Sequence, residues 1–129
     1  MPEADVSGYQ RKVLGSQVRP AKAVWGAEGI VIQDGRALPF VVERQWNAPA
    51  GYYLEQWFLI DPGSREILHE GPAQQRLIWG LQSATEVGDR DPGGFPLPAG
   101  PCRIVFALGG IIGGEADVHV AEATTESAA

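Results

Sequence analysis

Three observations on this sequence predict an all-β fold: an antiparallel β-sandwich of seven or eight short strands or, alternatively, a small β-barrel. Glycine (17) and proline (10) are abundant among the 129 residues, and helix interiors tolerate neither well. Apolar residues recur with period two over several short stretches, and no stretch repeats with the helical period. Turn signals separate those stretches at intervals of roughly 8–12 residues, as sandwiches and barrels require. The length predicts one domain over residues 1–129, with an N-terminal arm at 1–20, a β core at 21–122 and a polar tail at 123–129.

Residues 1–20 show no clear period and end at Pro20, so they contribute at most an edge strand near residues 12–14. Residues 29–33 and 38–45 form the first strand pair, joined by Asp34-Gly35, a strong hairpin dipeptide. In the second of these strands Leu38, Phe40 and Val42 face one way, and Val41, Glu43 and Gln45 the other. Residues 52–60 form a strand with two apolar faces, Tyr52, Leu54, Phe58 and Ile60 against Tyr53, Trp57 and Leu59. Such a strand is central, or its second face is covered by a partner. Asp61-Pro62-Gly63 suits a type II turn, so residues 66–70 return antiparallel. A strand at 75–81 sets Leu77, Trp79 and Leu81 opposite Arg76, Ile78 and Gly80, with Trp79 expected in the core. Residues 83–94 are polar and form the longest internal loop. The final strands are 102–108, where Cys102, Ile104, Phe106 and Leu108 point inward, and 115–122, where Ala116, Val118 and Val120 do so.

The run Pro98-Ala99-Gly100-Pro101-Cys102-Arg103-Ile104-Val105-Phe106, followed by a strand alternating in valine, resembles the last hairpin of immunoglobulin-like and fibronectin-like sandwich domains. The paired cysteines and intervening tryptophan of antibody domains are missing. The resemblance therefore implies the sandwich and transfers no functional residue.

Composition narrows the function. A hydrophobic content of 44% and a charged content of 20% are those of an ordinary globular protein. The net charge of −6 argues against nucleic acid, because phosphate recognition needs clustered cations. The charge is uneven: residues 1–22 carry four cations against two acids, and residues 84–129 carry two cations against seven acids. Cys102 is the sole cysteine, which excludes an internal disulfide. No leader-like start and no apolar run near the ~20 residues of a membrane helix are visible. A cytoplasmic or virion location, with no membrane partner, is expected.

Few residues suggest chemistry. Cys102, His69 and His119 lack copper- or zinc-ligand spacing, and Glu86, Asp89 and Asp91 lack the spacing of a calcium loop. No metal or cofactor is expected. Ser64 sits in a hairpin turn and Ser83 follows a strand, neither in a nucleophile elbow. Glu43, Glu55 and Glu70 are expected to face water on alternating strands. No catalytic residue is assigned, and the chain is expected not to be an enzyme.

Association is the function these features suggest. Gly109-Gly110-Ile111-Ile112-Gly113-Gly114 sets two isoleucines at an expected hairpin tip, an apolar finger for a partner or a plug for the chain's own core. With the two-faced strand, the candidate interface is Ile111, Ile112, Trp57, Tyr53 and Leu59, and the oppositely charged ends add to it. The partner is expected to be a protein, either another copy or a larger assembly, as in a structural or accessory subunit such as a virion decoration protein. The alternatives are a carbohydrate- or small-apolar-ligand-binding module using Trp46, Tyr52, Tyr53 and Trp57, and a small barrel enzyme with a pocket near His69 or His119.

Overall fold

Ten strands in two sheets make up the described part of the chain, residues 10–124 of a computed structural model. They are β1 (Lys12–Pro20), β2 (Ile30–Gln33), β3 (Arg36–Ala37), β4 (Phe40–Asn47), β5 (Gly51–Ile60), β6 (Ile67–Glu70), β7 (Gln74–Ile78), β8 (Thr85–Asp91), β9 (Gly100–Leu108) and β10 (Ile111–Glu122). The small sheet has the order β1-β4-β8, and the large sheet runs β3-β2-β10-β9-β5-β6, with β7 also paired to β5. The fold is all-β, as the sequence predicts. One pairing is not antiparallel: β2 lies parallel to β10, with Val120 opposite Ile30.

Departures from the predicted strands have local causes. Asp34 and Gly35 adopt positive φ of 54° and 75°, the conformation of a type I′ hairpin turn. That hairpin pairs only Gln33 with Arg36 and Ile32 with Ala37. After Leu38-Pro39 the chain crosses to the other sheet, where β4 pairs with β1 and β8. The predicted strand 38–45 is thus two strands in different sheets. The edge strand near 12–14 extends over all of Lys12–Pro20 against β4, while residues 1–9 and 125–129 of the predicted arm and tail lie outside the described residues. The turn after β5 is a four-residue loop, not type II: Arg65 has φ 63°, and its N–H donates to Asp61 O at 2.8 Å.

The predicted loop 83–94 contains β8. Its buried positions are Thr85, Val87 and Asp91, so no apolar alternation marked it as a strand. The predicted strand 75–81 ends at Ile78, and the faces of this segment are reversed from expectation. Ile78 is fully buried, whereas Leu77, Trp79 and Leu81 are exposed, Trp79 by 69%. The core between the sheets contains Phe40, Trp46, Trp57, Leu59, Ile78, Ile104, Phe106 and Leu108, all fully buried. Cys102 points inward, as the alternation of β9 requires, and burial pushes its thiol pKa up.

Candidate functional site

The two faces of β5 separate cleanly. Trp57 and Leu59 are fully buried, and Tyr53 is half-buried with its hydroxyl donating to Pro49 O at 2.8 Å. Tyr52 and Leu54 point away from the core and are 71% and 57% exposed. Register carries this outer face across the sheet: Tyr52 is opposite Leu77, Phe58 opposite Val105, and Ala107 opposite Ile112. At one end Phe58, Ile60, Ile67, Val105 and Ile112, with Arg65, line an apolar groove of about 240 Å³. Beside it runs a row of paired charges, Arg65 with Glu115 at 2.7 Å and Arg103 with Asp117 at 3.1 Å. The Arg65 guanidinium, through its hydrogen bond, holds the Glu115 carboxyl below its ordinary value.

These positions correct the expected interface. Trp57 and Leu59 are fully buried on the core side of β5 and cannot meet a partner, and Tyr53 lies half-buried on that same side. Ile111 and Ile112 are not a hairpin tip. The tip is Gly109-Gly110, with φ 59° and 82°, and the isoleucines are the first residues of β10, opposite Leu108 and Ala107. Ile112 remains exposed on the outer face. The glycine at 113 has a different cause: a side chain there would overlap the Trp46 ring. The expected ligand platform is likewise divided. Trp46 and Trp57 are fully buried, and only Tyr52 of that set is well exposed.

Two outer faces can be compared. On the small sheet Gln17, Glu43, Gln45, Glu86 and Gly88 occupy the outward positions opposite one another, and all are exposed. That surface is mainly polar: Val41 shares it, half-buried between Arg19 and Arg90, and Leu14 on β1 is its one large exposed apolar side chain among the described residues. Glu43 and Glu70 face water as expected.

Glu55 does not. It is buried, and its carboxylate accepts from Arg44 Nε at 2.7 Å, from Arg44 Nη2 and from Trp46 Nε1 at 3.0 Å. Arg44 Nη2 also forms an ion pair with Asp89 Oδ2 at 2.8 Å. Arg76 completes the group, donating to Asp89 Oδ1 and placing its Nε 3.5 Å from Glu55. Two cations and two acids thus join β4 and β8 of one sheet to β5 and β7 of the other. Burial acts to raise the Asp89 pKa, but the two guanidiniums outweigh it and hold the carboxyl below its ordinary value. Sequence reasoning missed this group because its members occupy inward positions singly, on four separate strands. The available signal was Arg44, which falls between the inward Val42 and Trp46 on an alternating strand.

Clefts lie beside both histidines. One of about 430 Å³ is bounded by Trp57, His69, Glu70, Gln74, Asp91 and Phe95. There His69 stacks on Phe95, with ring centroids 3.5 Å apart, and its Nε2 is 3.1 Å from Asp91 Oδ2. Trp57 Nε1 is buried without a hydrogen-bond partner. The other cleft, of about 620 Å³, includes Ser16, Glu28, Arg103, Asp117 and His119. Ser64 is part of its turn, donating to Asp61 Oδ2 at 3.1 Å. Among the described residues no group of three or more His, Cys, Asp or Glu is placed to hold a metal ion. No helix among them is long and apolar enough to cross a membrane.

No family model matches the chain, and no curated protein does. Solved structures with a similar course include the alkylpurine DNA glycosylase AlkC of Pseudomonas fluorescens bound to DNA containing an abasic-site analogue. It is 13% identical, with a TM-score of 0.45 over 93% of this chain and 36% of that one. Another is a mutant (D270A) β-glucosidase of Listeria innocua in complex with laminaribiose, 10% identical, with a TM-score of 0.47 over 82% of this chain and 16% of that one. The chain thus spans about a third or less of these proteins' lengths, and likeness at this level assigns it no activity.

Proposed function

We propose that the chain is a non-catalytic β-sandwich that works by association with protein, and that the outer face of its large sheet is the surface it uses. The contrast between the two outer faces carries this reading. The small sheet presents glutamine, glutamate and glycine to water, as a solvated sheet does. The large sheet presents the exposed Tyr52, Leu54, Ile67, Leu77 and Ile112, with the half-buried Gln56 and Phe58 among them, an apolar surface of the kind that marks interaction sites. Support also comes from the pairing of the inward-facing charged groups with one another, Glu55 with Arg44 and Asp89 with Arg76.

A photo-cross-linking amino acid at Leu54, compared with one at Glu86 on the small sheet, tests the reading in cells that make the protein. The expected result is protein adducts from position 54 that disappear when Phe58 and Ile112 are changed to serine, with none from position 86. Equal adducts from both faces, or none from either, would overturn it.

The cleft at His69 favours a second reading, a small ligand held against Phe95 and the His69–Asp91 pair. Phe95→Ala should then abolish any ligand-induced change in tryptophan emission, whereas a change that persists in that variant places the ligand elsewhere.

A further inference from the structure

Resting on the association reading above, we propose that the partner seated on the large sheet's outer face is a second copy of this chain, related to the first by a two-fold axis crossing β5 near Gln56. The symmetry of the face itself suggests this. Its projecting side chains, Tyr52 and Leu54, lie on one side of Gln56, and Phe58 and Ile60, which line the apolar groove, lie on the other. Residues 52 and 60, and 54 and 58, are equidistant from residue 56 along one strand and share its outer face. A two-fold axis at Gln56, in the interface plane and perpendicular to β5, therefore sets Leu54 of each copy over Phe58 of the other. Tyr52 of each copy then enters the other's groove. An isologous interface demands that arrangement, residue i meeting j while j meets i.

Charge agrees with it. The chain carries −6 overall, yet the charged row on this face is balanced, two arginines against Glu115 and Asp117, each already paired. Glu70 stands at the rim, on the edge strand opposite Phe58. A copy can lie on this face without two like-charged fields meeting. The area is sufficient as well. β10, β9 and β5, each about 30 Å or more in length, and β6 and β7 set one after the other along β5 lie about 5 Å apart and give a face of roughly 600 Å². Side-chain relief brings that toward the ~800 Å² per partner of a standard interface.

The test uses the full chain. Ala107 lies beside Gln56 on β9, and Cys102, the only native cysteine, is buried. Ala107→Cys treated with a short bis-maleimide should give a covalent dimer, and Gly88→Cys on the small sheet should not. Light scattering of the unmodified protein should report twice 13.8 kDa, and Leu54→Ser should raise the dimer dissociation constant at least tenfold with the β-type circular dichroism unchanged. A monomer at every concentration, with protein adducts from position 54 still formed in cells, overturns the second copy and leaves the association reading standing. A monomer that dimerises once residues 1–9 are removed also overturns it, by showing that the chain covers its own face. A dimer that cross-links through Gly88→Cys and not Ala107→Cys overturns both.

Discussion

Removing one member of the buried charge group should cost far more than removing a matched pair. Arg44 and Glu55 have side chains that are 0% and 1% exposed, so neither charge can recruit water when its partner is lost. In Glu55→Met, Arg44 and Arg76 are left to share Asp89 alone. In Arg44→Met, Glu55 and Asp89 are left to share Arg76. Each single change strands a buried charge, for which about 3–5 kcal/mol is the usual cost. In the double variant Arg76 and Asp89 remain paired and the group stays neutral. The main loss is then the acceptor of the Trp46 indole N–H, about 1–3 kcal/mol, partly offset by two apolar side chains of similar volume. The expected coupling between the sites is therefore at least about 3 kcal/mol, a large share of the roughly 5–15 kcal/mol that holds a domain together. Urea unfolding followed by tryptophan emission measures all four proteins, and linear extrapolation gives the free energies. Additive single and double variants, or a single variant within about 1 kcal/mol of the parent, would refute the reasoning.

Three further outcomes can be measured in the same way. Asp89 and Glu115 have folded-state pKa values below their ordinary ones, so the stability they contribute is present above the unfolded value and lost as pH falls through the folded one. Unfolding free energy should thus decline between about pH 5 and about pH 2, and Asp89→Asn, less stable at neutral pH, should decline less steeply; parallel curves would exclude Asp89 as a source. Gly71→Ala should destabilise by about 1–3 kcal/mol because the new methyl overlaps the Trp57 ring, whereas Gly88→Ala, which meets Glu43 Cγ at 3.6 Å, should stay within about 0.5 kcal/mol. Trp79→Ser should also stay within about 0.5 kcal/mol, since the side chain is solvent-facing; a loss of several kcal/mol would place Trp79 in the core.

The strands legible in the sequence are those whose inward positions are all apolar. In β9 the buried Cys102, Ile104, Phe106 and Leu108 alternate without exception, and the Asp34-Gly35 turn is fixed by two residues that tolerate positive φ. β8 was hidden because its inward positions, apart from Val87, are the polar Thr85, Asp89 and Asp91, and the groups that pair with the two aspartates, Arg44, Arg76 and His69, lie on β4, β7 and β6. β7 was turned over because Arg76 is inward, where Asp89 and Glu55 balance its charge, and that leaves Leu77 and Trp79 to solvent. The candidate face was half visible. The two-sided character of β5 implies a covered second face, but which side is covered by the chain itself depends on groups that lie opposite it in the other sheet.

β5 poses that choice in its sharpest form. Its inward set is Tyr53, Glu55, Trp57 and Leu59, and its outward set is Tyr52, Leu54, Gln56, Phe58 and Ile60, one polar residue among apolar ones on each side. Sliding the strand by one residue exchanges the sets at little cost in apolar burial. What differs is Glu55 against Gln56. Only the carboxylate neutralises Arg44 while accepting from Trp46, so the slipped register would leave a buried guanidinium with Asp89 alone. The charge group thereby fixes which face of β5 is core, and the apolar outer face follows from that choice. In Arg44→Met/Glu55→Met this constraint is gone. The expected outcome is a folded protein whose amide spectrum shows a second set of resonances for β5 and for β7 and β9 beside it. A single set, unchanged in dispersion from the parent, would mean that packing alone, with Gly71 flat against Trp57, decides the register.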